Sequence, residues 1–282
     1  MSSFDAGAIL RETRDYIREA VPGEYESLQM ERVVFGLFFT GVKLTNGDGG
    51  ICFTPVKAIP EAVCCPSSAK VMPLSGRLKG MEVDRVLREM EEGSPLKKAL
   101  GIATLNALSL TLERSQGTPN FEVVLEKDAL DLLTLHEEEF VVVVGALAPY
   151  LKRLKARGKP FRVLEMDPRT LKKDEMPFYS PAEEAPLYVP KADLLVVTGT
   201  SLVNDTLEGL LALARKDARV VVLGPTASQY PRAFFERGVD MLGGIRVTAP
   251  DDLLDLLAEA GSGYHFFGRS AERTTIVPRR NS

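Results

Sequence analysis

The run Phe140-Val-Val-Val-Val144 constrains the fold of this chain more than any other segment. A strand alternates its side chains between two faces, and this run offers no polar face to water. It suits a strand covered on both sides, as in a parallel sheet sandwiched by helices. The sequence downstream of it has the matching rhythm. Strands are expected at Phe161 to Glu165, Leu194 to Val197, Arg219 to Leu223 and Val239 to Leu242, the last succeeded by Ile245 to Val247. Between them lie helical stretches at Tyr150 to Arg157, Val203 to Arg215 and Pro231 to Arg237, with Asp251 to Ala258 closing the series. Alternating strands and helices imply a parallel sheet with right-handed crossovers.

The region before this has a different grammar. Asp5 to Ala20 reads as a helix that Asp5 can cap. Arg32 to Leu44 and Gly50 to Thr54 are rich in Val, Phe and Ile and flank Asn46-Gly-Asp-Gly-Gly50, a hairpin signal. Residues 55–80 read as loop. A short helix at Val83 to Met90 precedes a long one from Pro95 to Leu112, with Pro95 at its favoured first position. The long helix is apolar nearly all round, so it should be buried. Phe121 to Val124 reads as a short strand and Asp128 to Leu135 as a helix. The expected class is therefore α/β: a small α+β unit over residues 1–120, then a Rossmann-like parallel-sheet domain over 121–268. The polar, basic end from Arg269 to Ser282 reads as a flexible tail.

The 282 residues carry a formal net charge of −4 and a pI near 5.5. No basic stripe of a nucleic-acid binder is visible. The longest apolar run, Val33 to Phe39, is too short to cross a bilayer, and Met1 to Arg14 has no apolar core of a signal peptide. Three cysteines, Cys52, Cys64 and Cys65, make no disulfide framework, and a reducing cytoplasm is the expected location.

Ligands of open parallel sheets bind outside the carboxyl ends of the strands. Three such ends here carry glycine with polar or proline-bearing turns: Gly145 to Pro149, Gly199 to Thr206 and Gly224 to Pro231. The first invites a dinucleotide, because Glu165 and Asp167 follow Gly145 by 20 and 22 residues, where an acidic residue would take a ribose hydroxyl. It has one glycine instead of three, however, and Pro149 removes a donor. Asp167 also suits capping of a turn at Pro168. The second turn holds Thr200, Ser201, Asn204, Asp205 and Thr206, more polar side chains than a helix start needs. The third, with Pro225, Thr226, Ser228 and Gln229, is a weaker version. Asn106 lies on the apolar stripe of the long helix, so its amide needs buried partners or faces a cleft. His136 and His265 lack metal-ligand spacing, Cys64 and Cys65 cannot chelate alone, and no tetrahedral zinc set can be assembled. His265 reads as a packing residue.

Three segments, Gly199-Thr-Ser-Leu-Val-Asn-Asp-Thr-Leu-Glu208, Val222-Leu-Gly-Pro-Thr226 and Gly238-Val-Asp-Met-Leu-Gly-Gly244, resemble a heavy-metal-chelation family of uncharacterised prokaryotic proteins. Phe39-Thr-Gly-Val-Lys-Leu44 and Gly101-Ile-Ala-Thr-Leu-Asn-Ala-Leu-Ser109 resemble its partner domain, which is enolase-N-terminal-like. The resemblance spans about residues 5–265. It implies a site between the domains lined by Asn106, Thr200, Asn204, Thr206, Pro225 and Thr226. It does not carry enolase chemistry, whose metal ligands lie on a barrel this chain lacks. The scarcity of Cys and His argues against direct capture of a soft metal. The favoured ligand is a small anionic metabolite, an organic chelator or a metal–chelate. Two alternatives stay open: an enzyme using NAD or S-adenosylmethionine, and a non-catalytic module whose basic tail meets a partner. A homodimer is expected by analogy with two-domain proteins of this class.

Overall fold

The computed structural model describes residues 5–58, 75–91 and 94–279. Cys64 and Cys65, most of the loop expected at 55–80, and Arg280 lie outside them. The chain opens with Ala8–Ala20 (α1) and Pro22–Ser27 (α2). Met30–Phe35 (β1), Phe39–Leu44 (β2) and Gly49–Phe53 (β3) form an antiparallel sheet in the order β1-β2-β3. Val83–Glu91 (α3) and Pro95–Gln116 (α4) pack behind it. The apolar girth of α4 is explained by its neighbours, since α1, α3, β2 and β3 surround it. Leu96, Ile102, Leu105 and Leu108 are essentially without solvent exposure. The closest approach is at Gly50, where a Cβ would stand 2.1 Å from the carbonyl oxygen of Ala103. Only glycine lets β3 lie that near the helix.

The second unit comprises Phe121–Leu125 (β4), Ala129–Leu132 (α5), Val141–Val144 (β5), Ala148–Arg157 (α6), Phe161–Glu165 (β6), Tyr179–Pro181 (β7) and Ala185–Tyr188 (α7). Leu194–Thr198 (β8), Leu207–Leu213 (α8), Arg219–Leu223 (β9) and Arg232–Phe235 (α9) come next. Met241–Val247 (β10), Pro250–Ala258 (α10), Gly263–Phe266 (α11) and Ala271–Pro278 (β11) complete it. The eight-stranded sheet has the order β4-β11-β10-β9-β8-β5-β6-β7. From β10 to β7 every pairing is parallel. Numbered along the chain, these six strands run 3-2-1-4-5-6, the doubly wound order, with its switch point between β5 and β8.

The valine run behaves as its composition demands. Val141 and Val143 pack with Tyr150, Leu151 and Leu154 of α6. Val142 faces the other way, into a core shared with α8, α4 and α1. One face of the sheet is thus covered by α6, and the other by α7, α8 and α9 together with the small unit. That shared core is continuous, so the two units meet through packed apolar surface.

Several expected elements are corrected. Arg32 to Leu44 is two strands, because the chain reverses at Gly36-Leu37-Phe38, where the Gly36 N–H donates to the carbonyl of Phe39 at 3.0 Å. Asp5 does not cap α1 with its side chain, which pairs with Arg11, and Gly7 occupies the N-cap position. The helix expected from Val203 starts at Leu207. Asp205, with φ 55°, breaks the helical path before it. The segment expected as a loose tail from Arg269 holds a strand instead: β11, Ala271–Pro278, lies between β10 and β4 and pairs antiparallel with both. Its buried run of Thr274, Thr275 and Ile276 is concealed by the overall polarity of the segment. His265 is exposed, and its Nδ1 accepts from the Ser262 N–H at 3.0 Å, capping α11 instead of packing.

Candidate functional site

At the switch point the chain opens a cavity of about 370 Å³ between the ends of β5, β6 and β8 and the start of α8. Gly145 forms one edge. Its φ of +97° needs glycine, and a Cβ there would lie 2.7 Å from Cγ2 of Thr198. The polar wall comes from the turn after β8. Thr198 and Thr200 hydroxyls stand 3.1 Å apart, and both residues line the cavity. Ser201 lines it too, but is buried and donates its hydroxyl to the Thr198 carbonyl at 2.7 Å. Asn204 and Thr206 complete the rim. The Asn204 amide has only a long 3.9 Å contact with the sulfur of Met166, and the Thr206 hydroxyl a marginal 3.5 Å one with the Ser201 carbonyl. Their hydrogen-bonding capacity is largely unspent.

The loop after β6 is braced from within. One Glu165 carboxylate oxygen accepts from the N–H groups of Met166 and Asp167, at 2.8 and 3.0 Å. Asp167 caps the turn at Pro168–Thr170, accepting from the Arg169 N–H at 3.1 Å. Its carboxylate also pairs with the Arg169 and Lys57 side chains. Hydrogen bonds from these two cations hold it far below the usual aspartate range. Asp167 therefore stands beside the cavity without lining it, and its carboxylate is already engaged. The side chain this loop presents is Met166, 69% exposed.

Met166 and Asn204 also line a second recess of about 470 Å³, between the two units. Its charged residues are Arg11, Glu91, Lys98 and Asp205. Lys98 of α4 pairs with Asp205, so the strained turn of the second unit is tethered to the first. The inner cavity differs in charge. No lysine or arginine lines it, and its two charged side chains are Glu165 and Glu183. The anionic ligand expected from the sequence meets no side-chain cation there. Among the described residues, no three His, Cys, Asp or Glu side chains gather to hold a metal ion.

The other predicted residues are elsewhere. Asn106 is 2% exposed. Its Nδ2 donates to the carbonyls of Ile51, Pro225 and Thr226, at 2.7, 3.2 and 3.3 Å. The Thr226 hydroxyl accepts from the Phe53 N–H at 3.0 Å. Ser109, one turn further along α4, accepts from the Tyr230 N–H at 2.9 Å. The third turn is thus sealed against α4 and β3. Pro225 touches a different cavity, of about 610 Å³, on the α6 side of the sheet. The structure brings Thr200, Ser201, Asn204 and Thr206 together, and assigns Asn106 and Thr226 to the contact between units.

A family model described as "Putative heavy-metal chelation" matches residues 128–276, more than half of the chain, and a second with the same description matches residues 18–109. The chain belongs to this heavy-metal-chelation family. An uncharacterised protein of Methanocaldococcus jannaschii is 29% identical over 208 residues, covering 72% of this chain and 76% of that one. A solved family member of unknown function from Pyrococcus horikoshii aligns with a TM-score of 0.74 at 18% identity, over 96% of this chain and 100% of its own. Another, from Desulfitobacterium hafniense, gives 0.65 at 18% identity, over 95% and 98%. At these identities the likeness shows the shared fold, a small antiparallel sheet joined to a larger, mostly parallel one.

Sequence reasoning missed three wall residues. Thr198 was hidden because the strand was expected to end at Val197. Met166 and Glu183 fall in a stretch, 166–193, with no clear periodicity. For Met166 one signal was available: a methionine directly after a strand end, where ligands of such sheets bind.

Proposed function

We propose that this heavy-metal-chelation protein binds a small polar chelator, or the metal complex of one, in the switch-point cavity and the recess that adjoins it. The carrying observation is the placement of Thr198, Thr200, Asn204 and Thr206 around a cavity where the strand order reverses, with the Asn204 amide and the Thr206 hydroxyl largely unspent. A metal enters as cargo with its own organic ligand, because the described residues gather no donor set for a protein-held ion. Hydroxyls and an amide suit such a complex, since they bond to carboxylate or amine groups without competing for the metal.

The nucleotide reading is weaker on the same geometry. The strand order favours it, but Gly145 stands alone, Pro149 offers no donor, one oxygen of Glu165 serves its own loop, and the Asp167 carboxylate is engaged by its loop and two cations.

Native mass spectrometry with elemental analysis, on protein purified from its own host, tests the proposal. Wild-type protein should carry a small organic species with stoichiometric metal. Asn204→Ala with Thr206→Val should lose both while keeping the wild-type melting temperature. Metal without an organic partner, or full retention in the double variant, would remove the assignment.

A further inference from the structure

The inner cavity and the outer recess share Met166 and Asn204 but differ in charge. Inside stand two carboxylates and no base. Glu183 is exposed and makes no hydrogen bond or ion pair with the described residues, and one Glu165 oxygen already serves backbone N–H groups. Around these carboxylates the hydroxyls of Thr198 and Thr200 add further acceptors. An ammonium group has three donors and no acceptor, and matches such a wall. A ligand carboxylate placed there would face like charges with nothing to offset them.

The outer recess, unlike the inner cavity, has cations: Arg11, which pairs with Asp5, and Lys98, beside the carboxylates of Glu91 and Asp205. The Lys98 side chain is only 14% exposed and is held by Asp205. A ligand carboxylate can join that pair from the open side, taking donors that Asp205 leaves free, because an ammonium offers three. Between the two regions, Met166 offers a flexible thioether, suited to lie along an aliphatic stem.

We infer that the ligand is bipolar: an ammonium-bearing end sits in the inner cavity against Glu165 and Glu183, and a carboxylate end lies in the outer recess toward Lys98 and Arg11. The inference rests on the proposed binding role of these two spaces, and adds the substrate class, an amino-carboxylate in which amine and acid are separated by several carbons.

The test uses the full chain and α,ω-amino acids from β-alanine to aminolaurate, each beside the fatty acid and the alkylamine of equal length. Affinities are read by ligand-observed NMR. At one chain length the amino acid should bind at least about fivefold tighter than both of its single-charge analogues, the gain expected from adding an ion pair. Glu183→Gln should reduce binding of that amino acid and of the alkylamine, and leave the fatty acid unchanged. Two results would overturn the inference: no amino acid exceeding its fatty-acid analogue at any length, or Glu183→Gln leaving the amino acid unaffected. Asn204→Ala separates this failure from failure of the site itself. If it weakens whichever probe binds, the site stands and only its polarity is wrong. If every probe is indifferent to it, the site assignment falls and the inference with it.

Discussion

The turns after β8 and β9 start from similar sequence and end in opposite conditions. Each leaves a parallel strand through glycine, enters a short helical turn and carries hydroxyl and amide side chains. After β9 the hydroxyl and carbonyl groups are consumed: Thr226 serves Phe53 and the carbonyls of Pro225 and Thr226 serve Asn106, while the fully buried Gln229 amide has no hydrogen-bond partner among the described residues. After β8 they remain open around a cavity. The difference lies in what docks on each turn. The middle of α4 and the end of β3 cover the third turn, whereas α4 sends the second turn the Lys98 side chain near its start. Polar residues at a strand end are thus a shared resource, claimed by tertiary packing or left for a ligand.

The comparison can be broken first at Asn106. Asn106→Leu keeps the branched shape with somewhat more volume and removes the two N–H donors shared among three carbonyls, leaving those buried carbonyls without that partner. It should lower the unfolding free energy by about 3 kcal/mol in urea titrations. A loss below about 1 kcal/mol would mean that the third turn is not sealed by this amide. Thr226→Val should cost about 1–2 kcal/mol, since the Phe53 N–H would lose its acceptor inside the contact. At the open turn the same kind of change should be nearly silent. Asn204→Ala should alter stability by less than about 0.5 kcal/mol while weakening ligand retention in native mass spectra. If it destabilised the fold as strongly as Thr226→Val, the two turns would not differ in kind.

The smallest effect concerns pH. Asp167 is held below its ordinary range by Arg169 and Lys57. Its pairing therefore favours the folded state above that range, and the contribution fades as pH falls through it toward strong acid. Wild-type protein should be slightly more stable than Asp167→Asn near neutrality, and the gap in melting temperature should close on acidification. A gap that widened in acid would show that Asp167 gains nothing from its two cations.

The fold was legible where burial writes a simple pattern. Four valines in a row specify a strand covered on both faces, and an all-round apolar helix specifies α4. The pattern failed where polarity and burial part company. In β11, Arg273 and Glu272 reach outward while Thr274, Thr275 and Ile276 are buried, so average polarity concealed a strand. The start of α8 was misplaced because a positive φ at Asp205 leaves little trace in composition. Of the candidate site, the second turn stood out in the sequence because its polar residues exceed capping needs. The fate of Asn106 depended on which turn α4 would meet, a long-range fact that helical spacing does not contain.

The position of β11 bears on how the molecule is assembled in time. β4 borders the large sheet only through β11, pairing Phe121 with Pro278 and Val124 with Thr275. A chain emerging from a ribosome presents its N-terminal segments first. The small unit and the parallel strands can gather as they appear, but β4 must wait beside them, with its backbone groups unpaired, until residues 271–278 arrive. The stretch that leaves the small unit is therefore the last to be fastened, and nascent chains stopped before β11 should expose β4 to chaperones and proteases.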